Sequence, residues 1–185
     1  MEFYNRPGME MHQFVIGLSF GSIFTKFTSV NGALLHIFSP DSGIGKTTAL
    51  YAGASIWGDP NKLVLKESDT TNSKMNRAEL YNNLWLPMDE VTNSTAKDLS
   101  DFVYQYTSGS QRNRLSGSAN VERTRGEPWK QNGVSTGNTS VMEKISSYKA
   151  LPKGEAMRIL EVRAKPILDL DKSHTDDLSE KDRKS

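Results

Sequence analysis

The sequence predicts an α/β fold of three layers, in which helices cover both faces of a mostly parallel central sheet. One observation is that short apolar runs of strand length alternate along the chain with segments of helical periodicity, an order typical of parallel sheets. Another is that a glycine-containing loop joins one such run, Ala33–Phe38, directly to a helical segment beginning at Thr47. The 185 residues suffice for one domain with a buried core.

The first predicted element is a helix between Phe14 and Phe27, whose apolar residues recur at three- and four-residue steps and predict packing against the sheet. Polar residues interrupt this segment, which therefore falls short of the roughly 20 consecutive apolar residues of a membrane span. Glu2 and Glu10 lie where a signal peptide would carry basic residues. We therefore expect a cytoplasmic protein, with residues 1–30 as a helical lead-in.

The core is predicted to occupy residues 31–166. After a turn, Leu63–Leu65 is expected to form a second strand, and Leu84–Met88 a third. Pro87 is an irregularity in that third strand, because proline cannot donate to the hydrogen-bond ladder. Between these strands, Asn72–Asn82 is predicted to be a helix with three inward-facing residues: Met75, Leu80 and Tyr81.

The rest of the core continues the alternation of helices and strands. Residues 108–131 are polar and lack a helical period, so they predict a long loop or hairpin, and the polar segment 167–185 predicts a disordered tail. The remaining elements are a helix over Thr95–Tyr106, a strand ending near Val134–Ser135, a short helix from Ser140 and a strand over Met157–Val162.

The loop after the first strand carries a phosphate-binding pattern. Residues 40–47 fit G-x-x-x-x-G-K-[ST] at every fixed position except the first, where Pro40 replaces glycine. Small residues let consecutive backbone N–H groups curl around phosphates at a helix N-terminus. Lys46 is expected to reach the β and γ phosphates and Thr47 to ligate Mg²⁺. The alternative is a loop that contains Gly-Lys-Thr by chance. The predicted nucleotide-binding residues are Ser42, Gly43, Ile44, Gly45, Lys46, Thr47 and Thr48.

Two acidic residues, Asp89 and Glu90, directly follow the third apolar run. The carboxyl ends of parallel strands meet at one edge of a sheet, so we expect these carboxylates to converge with the loop around Lys46. Asp89 would then hold Mg²⁺ through water, and Glu90 would activate the attacking water. The alternative is that both acids only cap the following helix.

Further candidates come from the last two strands. Asn138, or in second place Thr136, would contact the γ-phosphate or the water from the end of its strand; the alternative is a turn with a helix-capping asparagine. Arg158 and Arg163 are either ordinary surface residues or candidates for stabilising charge on the transferred phosphoryl group.

Composition narrows the possible partners. The net charge of +1 produces no global field, and the absence of cysteine excludes disulfides and thiolate zinc sites. The three histidines form no metal-ligand spacing, so Mg²⁺ is the only metal expected. Between Arg112 and Lys130, five basic residues accompany two acidic ones, a bias that suits contact with DNA or simply solvent. Trp129 in this segment would stack on a base.

These motifs resemble the helicase-like P-loop ATPases of phages and mobile elements, close to superfamily 3 helicases and AAA+ proteins. The greatest similarity is to an uncharacterised helicase-like family often attached to primases. The resemblance extends from Phe14 to Val162, and its most specific part is the Trp-Gly-Asp-Pro run. The segments that carry it are Ser42-Gly43-Ile44-Gly45-Lys46-Thr47-Thr48-Ala49-Leu50, Ala54-Ser55-Ile56-Trp57-Gly58-Asp59-Pro60, Met88-Asp89-Glu90 and Ser135-Thr136-Gly137.

The resemblance implies a RecA-like or AAA+-like P-loop NTPase that hydrolyses ATP with Mg²⁺, assembles into a homo-oligomeric ring such as a hexamer and unwinds DNA during replication in a bacterial or phage-infected cell. A primase or polymerase domain is an implied partner. In Gly154–Arg158 the resemblance favours Arg158 as a finger acting across a subunit interface. Relatives continue beyond this point, which leads us to expect a fragment of a larger protein. The alternatives are an ATPase that loads or packages DNA and a nucleotide-binding assembly module without turnover.

Overall fold

The central sheet contains four parallel strands within the residues that the computed structural model describes, 8–110 and 127–165. The strands are β1 (Leu34–Phe38), β2 (Leu86–Met88), β3 (Gly133–Gly137) and β4 (Ile159–Arg163), in the spatial order β2-β3-β1-β4. All pairs are parallel, so the predicted α/β sheet is confirmed. The strands therefore end at one edge of the sheet, the carboxyl edge, and begin at the opposite amino edge.

Helices lie on both faces of this sheet. The helices are α1 (Glu10–Gly21), α2 (Lys46–Ala54), α3 (Pro60–Leu63), α4 (Thr71–Tyr81), α5 (Ala96–Thr107), α6 (Val141–Ser146) and α7 (Lys153–Ala156), with 3₁₀ turns at Ser22–Phe27 and Val91–Asn93. Alternate residues of β1 point to opposite faces, so Leu34 joins a core with α4, α5 and α6, whereas Leu35 and Ile37 join a core with α1 and α2.

The first helix is less buried than the sequence predicts. α1 ends at Gly21 and packs mainly on α2, to which Ser19 Oγ is tied by a 2.8 Å hydrogen bond to Gly53 O. The side chains of Phe14, Phe20, Phe24 and Phe27 remain largely exposed, so only one side of the segment packs as predicted. Within residues 8–110 and 127–165, no helix is both long and apolar enough to cross a membrane.

The predicted strand over Leu63–Leu65 is wrong, and Pro87 supplies a physical reason. Leu63 ends the helix α3, and only Leu65 pairs with β2, through one parallel bridge to Met88. In that bridge the Leu65 N–H donates to Pro87 O, and the Asp89 N–H donates to Leu65 O. The next ladder bond toward Leu63 would need an N–H at position 87, which proline lacks. Pro87 is thus tolerated in β2, because its missing donor faces this short edge rather than β3.

The helix over Asn72–Asn82 is confirmed as α4, but one of its three inward-facing predictions fails. Met75 is buried and Tyr81 packs partly against the core, whereas Leu80 is 76% exposed. The later helix from Thr95, the strands near Val134 and after Met157, and the helix from Ser140 all form within one or two residues of the predicted bounds. The tail 167–185 lies outside the described residues.

Candidate functional site

The loop between β1 and α2, for which the sequence predicts phosphate binding, lies at the carboxyl edge of the sheet. Gly43 and Gly45 have φ angles of 74° and 87°, a left-handed conformation that glycine adopts without steric cost. The Gly45 carbonyl accepts the Ala49 N–H at 2.9 Å and so starts the nine-residue helix α2. The first N–H groups of α2 therefore open beside the loop, as an anion site requires. Pro40 is exposed at the loop entrance, where the glycine of the pattern is missing.

Lys46 is folded into this loop and is only 7% exposed. Its Nζ donates to Ser39 O and to Asp41 O, both at 2.9 Å. An ammonium group has three N–H bonds, so these contacts hold the charge in place and leave one donor for a phosphate oxygen. A buried cation beside a helix N-terminus strongly favours an anionic ligand, and the loop therefore fits a nucleotide phosphate.

His12 of α1 packs directly against the loop, a contact that no sequence motif indicated. A Cβ atom placed on Gly45 would lie 2.7 Å from His12 Nε2, so the site accepts only glycine there. Burial lowers the pKa of His12, and a hydrogen bond to the Gly45 backbone opposes that shift. Helix α1 thus packs against the loop through His12. Spacing along the chain gives no signal for this pairing.

Asp89 is the point where three elements of the site meet. The Thr47 hydroxyl, on the first turn of α2, donates to Asp89 Oδ1 at 3.4 Å. The Thr136 hydroxyl, on β3, donates to the same oxygen. Because hydroxyl and carboxylate oxygens are the donors that Mg²⁺ prefers, Thr47 and Asp89 fit the magnesium roles predicted for them. Thr136, the second choice at the end of its strand, thus contacts Asp89.

Glu90 follows in a strained backbone conformation, with φ 52° and ψ 43°, and its N–H donates to Thr136 Oγ1 at 3.3 Å. Burial and the neighbouring Asp89 carboxylate raise the pKa of Glu90, while Lys46 opposes this shift. Glu90 precedes the 3₁₀ turn Val91–Asn93 but makes no side-chain cap hydrogen bond to it, and α5 is capped by Thr95 Oγ1 accepting the Asp98 N–H, so the capping alternative is wrong. A carboxylate with a raised pKa beside a metal-type carboxylate suits a general base.

Asn138, predicted to contact the γ-phosphate or the attacking water, lies beside Glu90. Its side-chain Nδ2 donates to Glu90 Oε2 at 3.3 Å, and its backbone N–H donates to Thr92 Oγ1 at the same distance. The helix-capping alternative is wrong here too, because α6 is capped by Ser140, whose Oγ accepts the Glu143 N–H. Thr92, which holds the backbone of this turn, was missed by sequence reasoning because it belongs to no motif.

The two candidate arginines lie at opposite edges of the sheet. Arg158 precedes β4 at the amino edge, where its guanidinium stacks 4.7 Å from the Tyr104 ring centroid and donates to Gly154 O at 2.6 Å. Four residue rises separate this edge from Phe38, or ~13 Å, so Arg158 does not join Lys46 of its own chain. Arg163 pairs with Phe38 at the carboxyl edge and is exposed there.

The described ends of the basic segment border a cleft at the amino edge. Trp129 is 1% exposed and its indole Nε1 donates to Tyr106 O at 2.9 Å, so the prediction that it stacks on a base is wrong. Lys130 and Lys26 line a cleft of about 550 Å³ together with Asn31, Asn82 and Asn83. The other basic residues of the segment, Arg112, Arg114, Arg123 and Arg125, lie outside the described residues.

Comparisons with known proteins give one family model and several solved structures. No curated protein matches the chain. A protein described as "SCCmec type IV Cch - active helicase" superposes with a TM-score of 0.64 at 19% identity, over 97% of this chain and 33% of that chain. NtrX from Brucella abortus in complex with ATP gives a TM-score of 0.48 at 11% identity, over 86% of this chain and 37% of the NtrX chain. The chain thus spans about a third of the helicase chain that it resembles.

At this identity the likeness to the helicase structure establishes the fold alone, an α/β fold with a parallel central sheet. The family model described as Domain of unknown function (DUF927) matches residues 8–126, well over half of the sequence. The chain therefore belongs to the DUF927 family and has a helicase-like fold.

Proposed function

We propose that this protein is a Mg²⁺-dependent P-loop ATPase and that it works as a helicase-type motor in the DNA replication of a phage or mobile element. The observation that carries the ATPase part is the convergence at the carboxyl edge. Thr47 contacts Asp89 at 3.4 Å, and Asn138 contacts Glu90 at 3.3 Å, although these residues come from three separate elements. A metal-type pair and a base-type pair thus lie side by side next to Lys46.

Each residue has a distinct role in the proposed hydrolysis. The N–H groups of the loop and Lys46 would hold the β and γ phosphates, and Thr47 and Asp89 would hold Mg²⁺. When bound, Mg²⁺ neutralises charge on the phosphate oxygens. Glu90 accepts a proton from water as the water oxygen bonds to the γ-phosphorus and the bond to the β–γ bridging oxygen breaks. Asn138 orients Glu90 and the water through its side-chain amide.

The helicase part of the proposal requires a second copy of the chain and DNA. Arg158, being on the amino edge, would act on the nucleotide of a neighbouring subunit in a ring, a hexamer for example, and such an arginine is worth roughly 10³ to 10⁵ in rate. DNA would contact the basic segment Arg112–Lys130 and the cleft that Lys26 and Lys130 line. A primase or polymerase domain would supply the partner activity in a cytoplasmic replication complex.

Hydrolysis by the purified chain tests this proposal. We expect Mg²⁺-dependent release of phosphate from ATP, and we expect single-stranded DNA to stimulate it. Glu90→Gln should abolish this hydrolysis but retain ATP binding. Lys46→Ala should abolish both hydrolysis and ATP binding. Lys62→Ala, an exposed lysine on α3, is the matched control and should change neither. Binding without turnover in the presence of DNA would instead favour a nucleotide-binding assembly or DNA-loading module. Failure of the wild-type chain to bind nucleotide would exclude both functions.

A further inference from the structure

We propose that His36, buried in the centre of the sheet, is a positioning residue that sets the place of the Asn138 turn relative to Glu90. This inference rests on the proposed ATPase function and adds a residue that neither the motif nor the family assigns. His36 lies on β1, two residues before Phe38 and the phosphate-binding loop, and is fully buried. It therefore lies between the loop that would hold phosphate and the turn that would hold the water.

Both ring nitrogens of His36 are hydrogen-bonded to the strand and turn that carry Asn138. Nδ1 lies 2.9 Å from Ser135 Oγ, and Nε2 lies 3.0 Å from Thr139 O. A carbonyl oxygen only accepts, so Nε2 carries the proton. In a neutral ring Nδ1 is then the acceptor, and the Ser135 hydroxyl, which also lies 3.4 Å from Leu35 O, donates to Nδ1 over the shorter distance. Burial lowers the pKa of His36, which agrees with a neutral ring in this tautomer. The ring thus holds the residue directly after Asn138 through its Nε2–H donor.

The far side of the same turn is held by Glu161 of β4, which pairs with His36 across the sheet. Glu161 Oε2 accepts the Ser140 hydroxyl at 2.7 Å, and Oε1 accepts the Val141 N–H at 2.6 Å. The start of α6 is therefore tied to β4 by a carboxylate at its N-terminus, where a negative charge is favourable. His36 and Glu161 together fix Thr139 and Ser140 from the side of β1 and β4.

The turn is also tightly packed at Gly137, the residue directly before Asn138. A Cβ atom on Gly137 would lie 2.5 Å from Thr92 Oγ1 and 2.9 Å from His36 Cε1, so the backbone is packed between these two side chains. Asn138 occupies the one residue between Gly137 and Thr139, and its amide reaches Glu90 from there. A change in the His36 contact therefore moves Asn138 itself. A misplacement of about 1 Å at a reacting centre can cost roughly 10²-fold in rate.

Three substitutions separate this role from a general contribution to folding. His36→Phe keeps the aromatic volume stacked on Phe38 but loses both hydrogen bonds. His36→Gln retains an amide N–H that can donate toward Thr139 O. Ser135→Ala removes the hydroxyl that donates to Nδ1 and that also lies 3.4 Å from Leu35 O. The matched control is Ser22→Ala, which removes another fully buried serine hydroxyl, bonded to Ser19 O at 2.8 Å and remote from the site.

The test measures kcat and KM for MgATP, the Kd values of MgADP and of a non-hydrolysable MgATP analogue, and the thermal unfolding of each purified variant. We expect His36→Phe to lower kcat roughly 10-fold or more with KM and the MgADP Kd changed less than about threefold. His36→Gln should recover most of the lost rate, and Ser135→Ala should lose roughly three- to tenfold. Ser22→Ala should lower thermal stability without changing kcat.

Each result bears on the proposal. If His36→Phe does not fold, the Gln and Ala variants give the answer through the same split between kcat and KM. If kcat falls in the same proportion to the loss of thermal stability in Ser135→Ala as in Ser22→Ala, the positioning role is overturned and the ATPase proposal stays intact. If the wild type binds nucleotide without turnover, the affinity ratio of the MgATP analogue to MgADP replaces kcat as the readout, and an unchanged ratio in His36→Phe overturns the inference. A wild-type chain that binds neither nucleotide would refute the proposed function itself.

Discussion

The side-chain amide of Asn138 donates a hydrogen bond to Glu90 Oε2 at 3.3 Å, although the two residues are 48 positions apart in the sequence. β2 and β3 are neighbours in the sheet, so the residues that follow them meet at the carboxyl edge. This pairing places an N–H donor on the carboxylate that would act as the base. An amide donor at that position favours the ionised carboxylate, the form that accepts a proton.

The first prediction concerns Asn138. Replacing it with alanine removes the donor to Glu90 and should lower kcat for ATP hydrolysis roughly 10²-fold, a loss typical of one preorganised donor, with little change in KM. Steady-state kinetics with MgATP measures both constants. Asn61→Ala, an exposed asparagine on α3, is the control and should leave both unchanged. A rise in KM with kcat unchanged would place Asn138 in nucleotide binding instead.

The second prediction concerns Thr136, whose hydroxyl donates to Asp89 and accepts the Glu90 N–H. Thr136→Val keeps the shape but removes the hydroxyl, and loss of such an outer partner typically weakens metal binding roughly 10- to 100-fold. Titration of hydrolysis with Mg²⁺ at saturating ATP should show a correspondingly higher half-saturating concentration. Thr107→Val removes a buried hydroxyl bonded to Val103 O, away from the site, and should not move it. An unchanged Mg²⁺ requirement would leave Thr136 a purely structural residue.

The third prediction compares two glycines. Gly45→Ala forces a side chain into a left-handed backbone at φ 87° and against His12 Nε2, so we expect a loss of roughly 1–3 kcal/mol in stability and of nucleotide binding. Gly17 lies on the exposed face of α1, and a Cβ atom added there would meet nothing within 4 Å. Gly17→Ala should therefore raise stability by roughly 0.5–1 kcal/mol, because alanine is the better helix residue.

Denaturant unfolding and ATP-analogue binding, measured on both glycine variants, check this comparison. The free energy of unfolding should move in opposite directions, and only Gly45→Ala should lose affinity. Small and equal changes in the free energy of unfolding of the two variants would show that the loop tolerates a side chain at position 45. His12 would then move aside at little cost in stability.

Local chemistry explains what the sequence predicted correctly. The phosphate-binding loop and Asp89-Glu90 were predictable because each follows a strand, and parallel strands deliver their ends to one edge whatever their order. The helices α4 and α5 were predictable from periodicity, and the structure adds that Thr70 and Thr95 act as their N-caps. These signals lie within a few residues of what they predict.

The errors share the opposite property, because they depend on which distant residues meet. The strand at Leu65 is reduced to a bridge because Pro87, 22 positions later, lacks the donor for a second ladder bond. Trp129 was predicted to face a nucleic-acid base, but its indole finds the Tyr106 carbonyl inside the core. The His12 contact with Gly45 and the Thr92 contact with Asn138 likewise follow from packing and register, which composition and spacing do not encode.

The last prediction follows from the burial of His12. Burial lowers its pKa below the ordinary value of 6.5, so the unfolded chain binds a proton more readily than the folded one. The stability that the neutral ring contributes is therefore present above about pH 6.5 and is lost as the pH falls through the lowered pKa. The wild type should lose more thermal stability between about pH 7.5 and about pH 5.5 than His12→Gln, which cannot titrate in this range.

Thermal unfolding of the nucleotide-free chains at the two pH values measures this difference. Gln13→Ala, on the adjacent exposed position of α1, introduces no titrating group and should follow the wild type. Since His12 lies against Gly45, acid should also weaken nucleotide binding in the wild type more than in His12→Gln. If thermal stability depends on pH in the same way in the wild type and in His12→Gln, His12 is protonated as readily in the folded chain as in the unfolded one. Protonation of His12 against Gly45 would then cost no stability.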